Sequence, residues 1–175
     1  MSTRITVTRN ETRITLGAIP VSTTPASADV WTVVELETDQ TESTGTLTST
    51  ALAFTPAAGG IYDIEYVLTY TSAATTTGIS HLIDQGNAAN AAGWFVARGT
   101  SYTNQNVAAP ALTSGTYPVV GQSSATGWQM AWGRATIQAA ASSPTAVSVQ
   151  IATEVASSAI TLKAYASHLR YRRAN

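Results

Sequence analysis

The chain has 175 residues, a net formal charge of −1, 44% hydrophobic and only 11% charged residues, and no cysteine. That length suits one domain with a core of its own. The absence of cysteine excludes disulfides and thiolate metal sites, and the balanced charge disfavours binding nucleic acid through a global positive field. No stretch reaches the roughly eighteen apolar residues of a membrane span, so neither a membrane nor a nucleic acid is an expected partner.

Residues 1–28 read as an extended N-terminal arm. Arg4-Ile5-Thr6-Val7-Thr8 and Thr12-Arg13-Ile14-Thr15-Leu16 are short alternating runs, too short to hold a core. Pro20 and Pro25 follow among small polar residues, and each removes a backbone donor and biases its predecessor towards extended geometry. Arg4, Arg9 and Arg13 make the arm basic, and pairing with a sheet edge or a neighbouring subunit is the role expected of it. The start is polar and lacks the apolar core of a secretion signal. The expectation is synthesis in a host cytoplasm, where the formal sequon Asn10-Glu11-Thr12 has no use.

A domain is expected over residues 29–175. Val30, Thr32, Val34 and Leu36 alternate with Trp31, Val33, Glu35 and Glu37 as a first strand. A polar loop follows, then an extended run to Phe54, then the turn Pro56-Ala57-Ala58-Gly59-Gly60. The next stretch dominates the chain. From Gly60 to Tyr70 one face carries Tyr62, Ile64, Tyr66, Leu68 and Tyr70, and the other Ile61, Asp63, Glu65, Val67 and Thr69. A helical period would scatter those tyrosines around a cylinder, so this is a strand whose aromatic face demands a second sheet. Ile79-Ser80-His81-Leu82-Ile83-Asp84 and Gly93-Trp94-Phe95-Val96-Ala97-Arg98 are further strands, whereas residues 100–124 are irregular and form the expected ligand loop if there is one. Trp128, Met130 and Trp132 alternate, Val147, Val149 and Ile151 share a face, Ile160, Leu162 and Ala164 share the next, and residues 167–172 close the chain. The sum is all-β: a two-sheet antiparallel β-sandwich of jelly-roll type with an extended N-terminal arm. Strand order is not readable from the pattern.

Chemistry has little to stand on. Ser80 and His81 are neighbours on one strand and project to opposite faces, which breaks a nucleophile group with Asp84. Asp63 and Glu65 stand two residues apart on the outward face, about 7 Å from each other, where no cleft would separate their acidities. The acidic loop from Asp39 to Glu42 has too few charged ligands to define a calcium site. The chain is therefore expected to be no enzyme and to carry no cofactor or metal. Tyr62, Tyr66, Tyr70, Trp128 and Trp132 are assigned to the core or to a trimer face. Stacking of Trp94, Trp128 or Trp132 on sugars is the competing use of those rings.

Two segments carry a resemblance. One runs from Leu52-Ala53-Phe54-Thr55-Pro56 through Gly59-Gly60-Ile61-Tyr62-Asp63-Ile64-Glu65-Tyr66 to Gly78-Ile79; the other runs from Val149-Gln150-Ile151-Ala152 through Ile160-Thr161-Leu162-Lys163-Ala164-Tyr165 to Leu169. Together they resemble tailed-bacteriophage virion proteins with a complement- or tumour-necrosis-factor-like trimeric jelly roll. The resemblance spans roughly residues 29–172 and leaves the region after Thr100 unmatched. It implies a homotrimer at the capsid surface of a virion. A short chain with one head domain and no long shaft is most like a capsid decoration, or cement, protein whose partner is the major capsid protein. The runner-up is a receptor- or carbohydrate-binding head on a tail or head fibre.

Overall fold

The computed structural model of the chain describes residues 6–9, 12–15, 30–98, 102–108 and 127–175; for 6–9, 12–15, 95–98 and 102–108 the backbone alone is described. Thirteen strands occur among the described residues: β1 (Thr6–Arg9), β2 (Thr12–Thr15), β3 (Thr32–Glu35), β4 (Gln40–Glu42), β5 (Thr48–Phe54), β6 (Ile61–Ser72), β7 (Ile79–Asp84), β8 (Asn90–Arg98), β9 (Tyr102–Ala108), β10 (Gln129–Gln138), β11 (Val147–Thr153), β12 (Ile160–Leu162) and β13 (His168–Arg173). Every pairing is antiparallel.

Two sheets build the sandwich. In the larger the order is β3-β13-β6-β10-β8-β9, with β12 between β6 and β4. In the smaller it is β5-β11-β7. β12 and β13 lie in succession along the same edge of β6, and β3 and β4 lie in succession outside them. They act as two long strands, each interrupted once. The first strand of the sandwich therefore sits beside the last, the last beside β6, and β6 beside β10. Chain-successive segments β4–β5, β5–β6, β6–β7 and β10–β11–β12 cross from one sheet to the other. That wrapping of strand pairs around two layers is a jelly roll. β8 and β9 extend the larger sheet as a hairpin on the free side of β10.

The interruption at residues 163–167 has a definite chemistry. Ser167, fully buried, accepts the Thr69 N–H at 3.0 Å with its Oγ and donates to the Thr69 carbonyl at 3.1 Å. Its side chain thus gives the Thr69 N–H the partner that the bulge removes, while the Thr69 carbonyl also accepts the Lys163 N–H at 2.8 Å. Asp39 braces the same bulge from the neighbouring strand pair, accepting from the Ala164 N–H and from Lys163 Nζ, each at 2.8 Å. Tyr165 at the crest has a φ of 58° and is exposed.

The core is the alternation of β6 made solid. Tyr62, Ile64, Tyr66, Leu68 and Tyr70 are all buried, against Leu52 and Phe54 of β5, Val147, Val149 and Ile151 of β11, and Ile79 and Ile83 of β7. β10 meets this face with small residues: Ala131 pairs with Leu68, Gly133 with Tyr66 and Ala135 with Ile64. Three tyrosines on one strand need that room, since a second row of large side chains beside them would overpack. Phe54 stacks on Tyr171 with ring centroids 3.8 Å apart, and Tyr62 closes the cluster at 5.5 Å from Phe54. The Tyr62 hydroxyl accepts the Ala57 N–H at 2.8 Å, which pins the turn entering β6.

Within the expected arm, β1 (Thr6–Arg9) pairs antiparallel with β2 (Thr12–Thr15), Thr6 opposite Thr15 and Arg9 opposite Thr12. Arg4, and the rest of residues 1–28 with it, lie outside the described residues. Within the stretch expected to be irregular, Tyr102–Ala108 is a strand that pairs with β8, and residues 109–124 lie outside the described residues.

Candidate functional site

The outer face of the larger sheet holds the charged and aromatic side chains that the core rejects. Register builds them into rows. Asp63 of β6 stands between Arg172 of β13 and Thr136 of β10, and Glu65 stands between Arg170 and Arg134. Val67 stands between His168 and Trp132. Across the next seam Trp94 lies opposite Arg134. All of these point outward because they carry the parity opposite to the tyrosines.

The rows are bonded. Arg172 donates to Asp63 Oδ2 from Nη2 at 2.9 Å and from Nε at 3.2 Å, and the Thr136 hydroxyl donates to Asp63 Oδ1 at 2.9 Å. Partial burial opposes ionisation of Asp63. It is outweighed by the Arg172 and Thr136 hydrogen bonds and the charges of Arg172 and Arg134, so the carboxyl is held below the usual range. Arg170 donates to Glu65 Oε2 from Nε at 2.8 Å and also from Nη2, while Arg134 Nε lies 3.7 Å from Glu65 Oε1. The Arg170 and Arg172 guanidinium carbons lie 4.8 and 5.1 Å from the centre of the Trp31 ring, within cation–π reach. Both carboxylates of the row are thus bonded by arginine, Asp63 by Arg172 and Glu65 by Arg170.

Beside these rows the face is concave. A hollow of about 350 Å³ is lined by Glu65, Val67, Trp94, Trp132, Arg134, His168 and Arg170 over a floor at Tyr66 and Gly133. The strands of that floor are paired on both sides, β6 with β13 and β10, and β10 with β6 and β8. Recognition there falls to side chains.

The sequence-assigned residues divide. Tyr62, Tyr66 and Tyr70 lie in the core. Trp128 and Trp132 do not: Trp128 is largely exposed and Trp132 is half-buried on the outer face. The core assignment of these two is corrected because the inward set of β10 is the small one, Ala131, Gly133 and Ala135, which complements the tyrosines. Arg9 and Arg13 fall on β1 and β2, where only the backbone is described.

His81 is buried, and its Nδ1 lies 2.6 Å from the Tyr66 hydroxyl inside the core. Asp84 bonds elsewhere, to the Gly86 N–H and to Gln150 Nε2, each at 2.9 Å. No group of three or more His, Asp or Glu able to hold a metal ion occurs among the described residues. What sequence reasoning missed is the partnership of Arg170 and Arg172 with Glu65 and Asp63. Both pairs have the same two-residue spacing, a match that could have placed the closing strand beside β6.

No known family model matches the chain, and no curated protein sequence matches it. Among solved structures, the VP2 subviral particle of infectious bursal disease virus is similar at 10% identity and a TM-score of 0.22, covering 98% of this chain and 43% of that one. The Gx strain of the same virus gives 11% identity and a TM-score of 0.22, covering 98% of this chain and 42% of that one. The chain thus spans about two fifths of the length of these viral proteins. A likeness of that size carries no argument about role.

Proposed function

We propose that this chain is a structural virion protein, a capsid decoration or cement protein that assembles as a trimer, binds across the borders of capsid subunits and strengthens the shell. The observation that carries the reading is a set of large apolar side chains left outside a core that is already full: Val30 is 68% exposed, Val33 53%, Trp128 65% and Met130 47%. They stand at two places, Trp128 and Met130 at the end of β10 and Val30 and Val33 at the β3 edge, and large apolar groups left exposed mark contact with other proteins. The low charge of the chain and its resemblance to trimeric phage jelly rolls support the same reading. Its mechanism is physical. A ligand of the assembled shell stabilises that shell by mass action, and three linked arms bearing Arg4, Arg9 and Arg13 engage the major capsid protein at high effective concentration. Addition to purified empty capsids tests this: binding should saturate at a fixed ratio, and deletion of residues 2–25 should abolish it. Normal docking of the arm-deleted protein would refute the mechanism.

A second reading, a receptor- or carbohydrate-binding head of a fibre, is favoured by one observation: Trp94 and Trp132 wall a solvent-open hollow between charged rows. It expects retention on host-cell envelopes.

A further inference from the structure

We infer that the hollow formed by Trp94, Trp132 and the Arg170–Glu65–Arg134 row binds a saccharide carrying a carboxylate, a uronic-acid type of sugar. The inference rests on the second reading above and gives it a ligand class.

The volume of about 350 Å³ falls within the range of small-molecule sites, towards its lower end. Two indoles supply flat apolar surface for the C–H face of a pyranose ring, while the polar rim meets its hydroxyls. The charges decide what kind of sugar. Among the lining groups, two arginines face a single carboxylate, Glu65. Each guanidinium offers five donors, and one carboxylate has about four acceptor sites. Arg170 has already spent two donors on Glu65 Oε2. Arg134 approaches Glu65 only to 3.7 Å, beyond hydrogen-bond distance, and its side chain is 46% exposed. The hollow thus holds a positive excess and an arginine whose planar fork matches a second carboxylate.

The backbone disfavours a peptide held by strand addition. A peptide is most readily held on a sheet by adding a strand to an unpaired edge, and the floor strands here have both edges occupied. A ligand there is recognised by side chains, by stacking on the indoles and by charge.

The test titrates the intact chain with a glucuronic-acid disaccharide and with the neutral disaccharide that has a hydroxymethyl in place of the carboxylate, followed by tryptophan fluorescence and calorimetry. Saturable binding is expected, with the acidic sugar bound about tenfold more tightly, the worth of one charge-assisted contact. Arg134→Gln should reduce the acidic sugar to the affinity of the neutral one. Trp132→Ala should weaken both, and Trp128→Ala, outside the lining, should leave both unchanged. These positions lie outside the core, and unaltered thermal unfolding verifies that each variant is folded. Equal affinity for the two sugars, with Arg134→Gln silent, overturns the carboxylate but leaves the carbohydrate reading standing. Saturation by neither sugar overturns both. Tighter binding of an acidic tripeptide than of either sugar overturns the inference in favour of a protein ligand.

Discussion

Tyr66 shows how much a single atom decides in this protein. Its ring belongs to the core, and its hydroxyl lies 2.6 Å from His81 Nδ1 with both residues buried. Tyr66→Phe keeps the ring and removes that bond. It should lower stability by about 1–3 kcal/mol, the usual cost when a buried polar group loses a partner, measurable as a lower urea midpoint at unchanged slope. On the surface the deciding groups are carboxylates. Asp39 is held below its ordinary range first by Lys163 and then by the Ala164 N–H. Glu42 is lowered by the Thr48 hydroxyl, against the opposing effect of burial and with help from the Thr44 and Ser43 N–H groups. Asp63 is lowered on balance by Arg172 and Thr136. Unfolded, such carboxyls titrate near about 4, so below that value the unfolded chain binds more protons than the folded one. The stability they confer is complete above the unfolded pKa and is lost as pH falls through the lower folded values. The part of the stability that these carboxyls confer should therefore be lost below about pH 4, seen as a shallower acid limb of thermal unfolding in an Asp63→Asn, Glu42→Gln double variant than in the wild type. An acid limb unchanged in that variant would contradict the assignment.

Among the elements, β6 was legible because its alternation is long and its two faces differ in kind. β10 was not. Trp128, Met130 and Trp132 alternate as cleanly as the tyrosines do, and hydrophobicity alone assigns the larger set to the core. The inward set is Ala131, Gly133 and Ala135 because their neighbours across the ladder are Leu68, Tyr66 and Ile64. Volume complementarity between strands fixes the parity, and that quantity exists only once two strands are paired. For the same reason the hollow was out of reach: Trp94 and Arg134 are 40 positions apart in the chain and meet only through the β8–β10 register. Gly93 sits in that register where an added Cβ would lie 2.7 Å from the Arg134 carbonyl and 3.1 Å from the Ala135 Cβ. Gly93→Ala should therefore push β8 away from β10 and cost about 1–3 kcal/mol, with a change in the fluorescence of the adjacent Trp94. The bulge between β12 and β13 was equally hidden, since Ser167 looks like any other serine in a Thr- and Ser-rich chain. Ser167→Ala would strip the Thr69 N–H of its partner and should cost a similar amount, about 1–3 kcal/mol.

At the scale of the whole molecule, the two layers are unequal: the larger sheet is wider than the three-stranded one that covers it. The large sheet must then answer for its outer face as well as its inner one. Its rows of arginine, carboxylate and threonine do so across β13, β6 and β10, and they give way to apolar groups at the end of β10, where Trp128 and Met130 stand, and at the β3 edge, where Val30 and Val33 stand. The proposed trimer would hide those groups. Met130→Glu is the decisive variant. Met130 lies outside the core, so a carboxylate there should leave the fold and its unfolding temperature intact in the isolated chain. In a trimer contact the same carboxylate would be buried without a partner, at a cost of several kcal/mol per ion, repeated at each of three symmetric positions. The wild-type chain should sediment as a trimer, and Met130→Glu should sediment as a folded monomer that no longer saturates empty capsids. A wild-type chain that stays monomeric at high concentration would remove the multivalency on which the cement reading depends. A Met130→Glu chain that remains trimeric would instead move the contact away from the end of β10, leaving the β3 edge as the surface to test.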